Sequence, residues 1–465
     1  MFKFKRKLLI ILLLGVGFFF KAYFSVFVNK GDILAIAEWS KSLYEQGIKG
    51  SYFREGWVYS FPTQPPIVML AYWISAWLYV HRYFLVVLHN WFRIPPATIL
   101  VWLAKNPLFF VKLWGILADC LSALVVYLVL KKLKKQTLAL WAMIFLLFNP
   151  IPFFVSSVWG QIDILGVILA FLAFLLLMFN SLLILSPILL TLGAMIKPTV
   201  FVLTPLYFFW VIRMFFNSKG KNVIFFQFLL GGLLSILIVL ISFIPFLNHR
   251  ESFFKQINSI VSRRILPSAK GTSKVATSAF TFFTIFYQID KTPGSQKLAF
   301  LSLDQIGNLF FLIIIITLAI MIISDFRKKK NFSEELTDLC FWAYFLSEGI
   351  FLFKTDMAER YFLPGFLFLF LLYFLANSQK IKLAILTQFF VWFINLVSSF
   401  YMRDVHFFQV LFRENGYLGT RIFSLLNVFV YFYIIKTYKG WQALATTIRA
   451  NFNLKKYKRN YGNIS

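Results

Sequence analysis

Asp32 and three later polar clusters hold most of the side chains whose types could do chemistry in this chain. Asp32 follows an apolar run over residues 8–28 by four positions, after Asn29-Lys30-Gly31. A carboxylate at the outer rim of a bilayer lies where a membrane enzyme needs a base when its substrate's reactive head sits at the interface. A helix starting at Asp32 places Trp39, seven residues on, on the same face, with Glu38 obliquely beside it. The plain structural alternative makes Asp32 a helix cap and nothing more.

The second cluster is Asn149-Pro150-Ile151-Pro152 followed by Ser157-Val158-Trp159-Gly160-Gln161-Ile162-Asp163. The prolines fall inside a span and free carbonyls that need other partners. The run then ends in a Trp-Gly turn beside Gln161 and Asp163. Ionisable groups this close to a bilayer are costly and usually functional, although Asp163 would also serve to cap the next helix. The third cluster, Lys197-Pro198, closes one short span and opens another at the outer rim. Lys197 there either snorkels to lipid head groups or offers a point charge to a phosphate. The fourth, Lys354-Thr355-Asp356-Met357-Ala358-Glu359-Arg360-Tyr361, packs four charges between two spans. Arg360 is expected to begin a helix, so its guanidinium and the helix N-terminus would both favour an anion. A structural Arg–Glu pair is the alternative. Asp119, mid-span beside Cys120, reads as a buried packing or relay group.

The elements that must position these residues are transmembrane helices. The chain is 60% hydrophobic, 20% aromatic and only 14% charged, and apolar runs of the roughly 20 residues that cross a bilayer recur from end to end. No segment is polar enough to give a soluble domain its skin. Cys120 and Cys340 both fall in apolar runs, which argues against a disulfide framework. Lys3, Lys5, Arg6 and Lys7 before an apolar run resemble a signal peptide. No small-x-small site follows and the run continues past Lys21 to Val28, so an uncleaved first span is expected, with Lys21 snorkelling to the outer interface.

The expected fold is all-α, a polytopic bundle of about twelve spans near residues 8–28, 107–130, 138–157, 161–179, 183–197, 199–216, 222–247, 307–324, 338–353, 359–376, 380–401 and 419–437. With the N-terminus inside, the short cytoplasmic segments collect about half of the 47 basic residues, the positive-inside asymmetry. One extra span within 66–104 would place the Lys131–Lys135 cluster outside. Residues 29–106 therefore read as one long outer loop with membrane-surface or re-entrant helices; two hidden spans would keep the same parity. A second long outer loop covers 248–306, with a Ser/Thr/Gly/Lys-rich patch from Ser268 to Ser278 that reads as mobile. One membrane domain thus runs over 1–437, and 438–465 is a basic cytoplasmic tail on anionic inner-leaflet lipid. The net charge of +29 is largely topology. A nucleic-acid role would need a folded basic domain, and none is present.

Independent structural polar residues should scatter over both faces of the membrane, whereas these gather on one. In order and sidedness they resemble the GT-C superfamily of polytopic glycosyltransferases, which use polyprenyl- or dolichyl-phosphate sugars. The likeness is strongest to bacterial homologues of the second mannosyltransferase of GPI-anchor assembly and weaker to dolichol-pathway glucosyltransferases. Asp32 stands for the family's acid after the first span, and Gln64-Pro65-Pro66 for its Tyr-Pro-Pro, with Gln64 departing. Asn149-Pro150 with Trp159-Gly160-Gln161-Ile162-Asp163 matches the most specific element, and Lys197-Pro198 matches a Lys-Pro junction. Ala358-Glu359-Arg360-Tyr361 stands where the family has His-Glu-Arg-Tyr, lacking the histidine. The last hundred residues carry no signature.

The resemblance implies transfer of a hexose, mannose by resemblance alone, from a polyprenyl-phosphate donor to a glycan, lipid or protein acceptor. The site would face outward in a cell membrane, with both termini cytoplasmic. Asp32 would deprotonate the acceptor hydroxyl, which displaces the lipid phosphate with inversion. Lys197 and Arg360 would bind that phosphate. Glu38, Trp39, Trp159, Gln161, Asp163, Asp356, Glu359 and Tyr361 would line the substrate site. Asp32, Glu38, Asp163 and Asp356 could offer oxygen ligands to a divalent cation, but no paired-acid motif demands one, and neither metal nor cofactor is assigned. The competing reading is a lipid-linked sugar flippase or transporter, which would call for related halves and polar groups near the midplane; no internal repeat is visible.

Overall fold

A computed structural model describes residues 2–28, 30–92, 97–179, 182–218, 220–248, 252–266, 273–325, 330–402 and 404–438. The expected tail lies almost wholly outside the described residues. Among them, helix dominates, and strand is confined to two two-residue ladders. Among the described residues, nine helices are long and apolar enough to cross a membrane, by length and composition: Arg6–Phe24, Pro107–Lys132, Gln136–Trp159, Pro198–Asn217, Lys221–Phe246, Leu303–Asp325, Phe332–Phe353, Gln379–Tyr401 and Leu418–Thr437. The chain is a multi-pass membrane protein at that level.

Three of the twelve expected spans, 161–179, 183–197 and 359–376, are instead the shorter apolar helices Asp163–Phe179, Leu185–Ile196 and Leu363–Leu375. Breakers explain the shortening. Gly160 turns through positive φ before Asp163, Pro198 ends the second helix, and a turn and a 3-10 segment precede the α-helical part of the third. At about 1.5 Å per residue, the 17-residue Asp163–Phe179 helix spans less than the roughly 30 Å hydrocarbon core.

Packing divides the chain into two compact units, Met1–Phe201 with Phe226–Gly271, and Val202–Phe225 with Thr272–Ser465. In the first, residues 66–104 are helical as expected, in three pieces: Pro66–Val80, Phe84–Phe92 and Ala97–Ala104. Pro66 opens the first of these at its first position, where a missing N–H costs nothing. That helix packs on Asp32–Glu45 and on Pro107–Lys132. Ser40 Oγ donates to the Tyr72 carbonyl (2.6 Å), and Trp114 Nε1 donates to the Ala71 carbonyl (2.9 Å). Ile33, Ile36, Trp39, Val68, Met69 and Tyr72 share one buried cluster with Tyr52, Phe246 and Ile260.

The second unit is built on Phe332–Phe353, which a capping box of Asn331 and Glu334 starts and which is buried along nearly its whole length. Glu348 on this helix accepts from Gln388 (3.1 Å) and Trp392 (3.1 Å) on Gln379–Tyr401. Asn427 on Leu418–Thr437 completes the network. Buried polar groups engaged in this way fix helix register. Residues 273–278, the described part of the Ser/Thr/Gly/Lys-rich patch, make backbone pairings. Ala276–Thr277 pairs in parallel with Met357–Ala358, and Lys274 bridges to Pro293; residues 267–272 lie outside the described residues.

Candidate functional site

The first unit brings Asp32 and the Trp-Gly-Gln-x-Asp segment together. Gly31 takes φ 71° and ψ −142°, a conformation open to glycine and strained for other residues. It turns the chain so that Asp32 is the first residue of its helix, at the positive end of the helix dipole. Asp32 is exposed, and its Oδ2 accepts from Gln161 Nε2 at 3.0 Å, across 129 residues.

Gln161 is delivered by an unusual local fold. Asn149 caps the short Pro150–Phe153 helix by accepting from the Ile151 N–H (3.0 Å), and the chain then widens into a π-helical turn over Phe154–Trp159. Gly160, at φ 83°, ends it. A Cβ on Gly160 would stand 2.7 Å from Ile33 Cδ1 and 2.9 Å from Lys112 Cε, and one on Gly115 would stand 2.7 Å from the Gln161 carbonyl oxygen. Two glycines thus let the Asp32 helix, the Gln161 turn and the Pro107–Lys132 helix meet at backbone distance.

Lys112 holds this junction, and nothing in the sequence reading singled it out. Its buried Nζ donates to the carbonyls of Val28 (2.9 Å), Ser157 (3.1 Å) and Val158 (2.9 Å). The three ammonium protons therefore join the loop entering Asp32 to the turn entering Gln161. The available signal was periodicity: Lys112, Gly115, Asp119 and Ser122 lie on one face of an otherwise apolar helix.

Beneath the junction, Lys21 does not snorkel. It is wholly buried, and its Nζ meets Asp119 Oδ2 at 2.6 Å, an oxygen that also accepts from Ser156 Oγ at 2.6 Å. A lysine buried among helices cannot reach an interface, and pairing with an equally buried carboxylate offsets its desolvation. Asp119 is thereby assigned to packing between Phe2–Phe24 and Pro107–Lys132.

Asp163 opens its helix 1% exposed, and Lys197 Nζ meets its Oδ1 at 2.8 Å. Asp163 Oδ2 has no hydrogen-bond partner. The pair exists because Gly166 and Gly193 let two helices touch. A Cβ on Gly166 would lie 2.8 Å from the Gly193 carbonyl oxygen, and one on Gly193 2.7 Å from that of Gly166. Lys197 is half-buried against Asp163 and is not simply extended to lipid.

Other expected site residues have structural partners. Glu38 accepts from the backbone N–H groups of Val58 (2.7 Å) and Tyr59 (3.1 Å), and Trp39 Nε1 donates to the Ser60 carbonyl (2.8 Å). Both pin the 54–62 loop; Trp39 shares the face of Asp32 on the Asp32–Glu45 helix, and its ring is buried in the core. The same loop is anchored by Tyr52, whose hydroxyl donates to the Gln64 carbonyl (2.6 Å); burial pushes that phenol well above its ordinary range. Trp159 is buried edge-on to Phe154.

In the second unit, Arg360 does not begin a helix. Met357–Ala358 is strand, Glu359 to Phe362 form a turn, and the α-helix starts at Phe366. The expected helix N-terminus for an anion is absent there. Arg360 Nε pairs with Glu359 Oε1 at 3.0 Å, and the Glu359 carbonyl accepts from Asn395 (2.9 Å). Asp356 takes φ 63° and donates its N–H to the Lys274 carbonyl (3.0 Å), while Tyr361 is half-buried in the turn.

Among the described residues, no three His, Cys, Asp or Glu side chains gather as a metal site. No protein-family model matches the chain, and no curated protein matches it significantly. The arrangement can orient one exposed carboxylate beside an amide at a helix start, with a cation held on the same segment by Asp163.

Proposed function

We propose that this protein is a membrane glycosyltransferase that moves a hexose from a polyprenyl-phosphate donor to an acceptor hydroxyl on the extracytoplasmic side, with inversion and with Asp32 as general base. The Asp32–Gln161 hydrogen bond carries this reading. It unites the acid after the first span with the segment whose pattern is most specific to the resemblance, and leaves Asp32 exposed to an incoming hydroxyl.

In this reading Gln161 orients the Asp32 carboxylate, which takes the proton. The acceptor oxygen attacks the anomeric carbon as the bond to the lipid phosphate breaks. The polyprenyl phosphate leaves as a phosphomonoester dianion, so no strong acid is needed. Lys197 supplies positive charge to the departing phosphate, and Asp163 holds its ammonium in place. Arg360 is part of the same proposal through its motif, with Glu359 holding its guanidinium.

The test is transfer in membranes from a panel of radiolabelled polyprenyl-phosphate sugars. Asp32→Asn preserves shape and removes basicity, so turnover should fall at least about a hundredfold while donor binding persists. Near-normal turnover in that variant would return Asp32 to the role of a helix start.

A further inference from the structure

Facing the 50–53 loop, the helix Phe253–Ile260 and the π turn Val261–Ile265 that continues it have two chemically opposite faces. Ile257, Ile260, Val261 and Ile265 pack into the buried cluster of the first unit. Lys255, Asn258, Ser259, Ser262 and Arg263 recur at helical spacing on the other face and line a half-open cavity of about 510 Å³. Phe53 and Asn248 form its far wall.

The cavity is built rather than incidental. Gln256, 3% exposed, is locked to Asn248 by two reciprocal 2.6 Å hydrogen bonds, N–H to Oε1 and Nε2–H to carbonyl. Gly50 donates to the Phe246 carbonyl at 2.9 Å, and its positive φ leaves no room for a Cβ against the Asn248 amide. Arg264 Nε donates to the Tyr52 carbonyl at 3.0 Å, and its guanidinium lies over the Phe61 ring. These ties fix both walls before any ligand arrives, which lowers the ordering cost of binding.

Its chemistry selects a ligand class. Among the described residues, the lining carries two cations, two amides besides the locked Gln256, and two hydroxyls, and no carboxylate. Cations in a cleft with low-dielectric walls focus positive potential, and amides and hydroxyls match the polar edge of a polyol. The volume is that of a small-ligand pocket. We propose that this cavity binds an anionic, hydroxyl-bearing head group, a phosphate carried on a sugar or on glycerol. Lys255 and Arg263 take the phosphate, and Asn258, Ser259 and Ser262 take the hydroxyls. The assignment holds whether or not Asp32 transfers a sugar.

The test uses the full chain in phosphatidylcholine nanodiscs, titrated with glucose 6-phosphate, with glucose, and with glucose 6-phosphate at raised salt. Wild type should bind glucose 6-phosphate at least about tenfold tighter than glucose, and salt should weaken it. Lys255→Gln with Arg263→Gln should cost at least about tenfold; both side chains are exposed, so an unchanged melting temperature is expected as control. A second arm replaces part of the lipid with phosphatidylglycerol. Loss of soluble binding in the wild type there, relieved in nanodiscs without it, would identify a lipid head group as the source; unchanged soluble binding would identify a free phosphorylated sugar. Equal affinity for glucose and its phosphate, equal binding by the double variant, or no binding of glucose 6-phosphate in phosphatidylcholine nanodiscs would overturn the proposal.

Discussion

Lys112 shows how much one buried ammonium can do for a neighbouring carboxylate it never touches. Its three bonds satisfy carbonyls of the π turn and of the Val28 loop together. Lys112→Met keeps the stem and removes the donors, leaving buried carbonyls that cost roughly 1–3 kcal/mol each when unsatisfied. Hydrogen exchange over residues 30–34 should therefore quicken, and transfer should fall with Asp32 intact. Unchanged exchange would mean that the glycine contacts alone hold the junction. Lys21 and Asp119 make a second residue-scale case. Asp119→Asn strands a buried cation and should destabilise by about 3–5 kcal/mol, whereas Lys21→Met with Asp119→Leu should recover much of that. Thermal unfolding in detergent distinguishes the two, and equal losses in single and double variants would refute the coupling. Neither pair was legible in the sequence. A lysine near the end of an apolar run ordinarily snorkels, and nothing in one sequence links position 21 to 119. The backbone partners of Glu38 were hidden for a related reason: the 54–62 loop that binds its carboxylate has no periodic pattern to announce it.

At the scale of elements, small residues decide where helices may meet. Gly166 and Gly193 place two backbones in contact, and that contact sets the reach of Lys197 to Asp163. Gly193→Val should push the helices apart and cost about 1–3 kcal/mol by overpacking. It should also loosen the Lys197–Asp163 pair, so that donor affinity falls even though no charge has changed. Wild-type donor affinity in a destabilised Gly193→Val protein would detach the helix contact from the site. The Asn-Pro and Trp-Gly-Gln elements were legible because proline, glycine and capping asparagine each have a local mechanism. The Arg360 turn was not, because a two-residue strand has too few positions to show alternation, and Met357–Ala358 gains its partner from residues 276–277.

For the whole molecule, composition and apolar runs made the helical membrane architecture legible, and nine of the expected spans recur as long apolar helices. What composition cannot supply is the membrane itself, so sidedness rests on charge. The basic residues between apolar runs put Lys131 inside, while the proposed site requires Glu55 and Lys297 outside. All three are exposed in the structure, so each can report its side without disturbing a core. In a chain with Cys120 and Cys340 replaced by alanine, Glu55→Cys and Lys297→Cys should react with an impermeant thiol reagent on intact cells. Lys131→Cys should react only after the membrane is opened. A Glu55→Cys protein that labels only in opened cells would put Asp32 on the cytoplasmic face, where a base for an extracytoplasmic acceptor has no use. Labelling of both Glu55→Cys and Lys131→Cys from outside would require an even number of crossings between them, one more than the Pro107–Lys132 helix alone supplies. The 66–104 helices would then include a true span, because three short helices lying along one leaflet return the chain to the side it left.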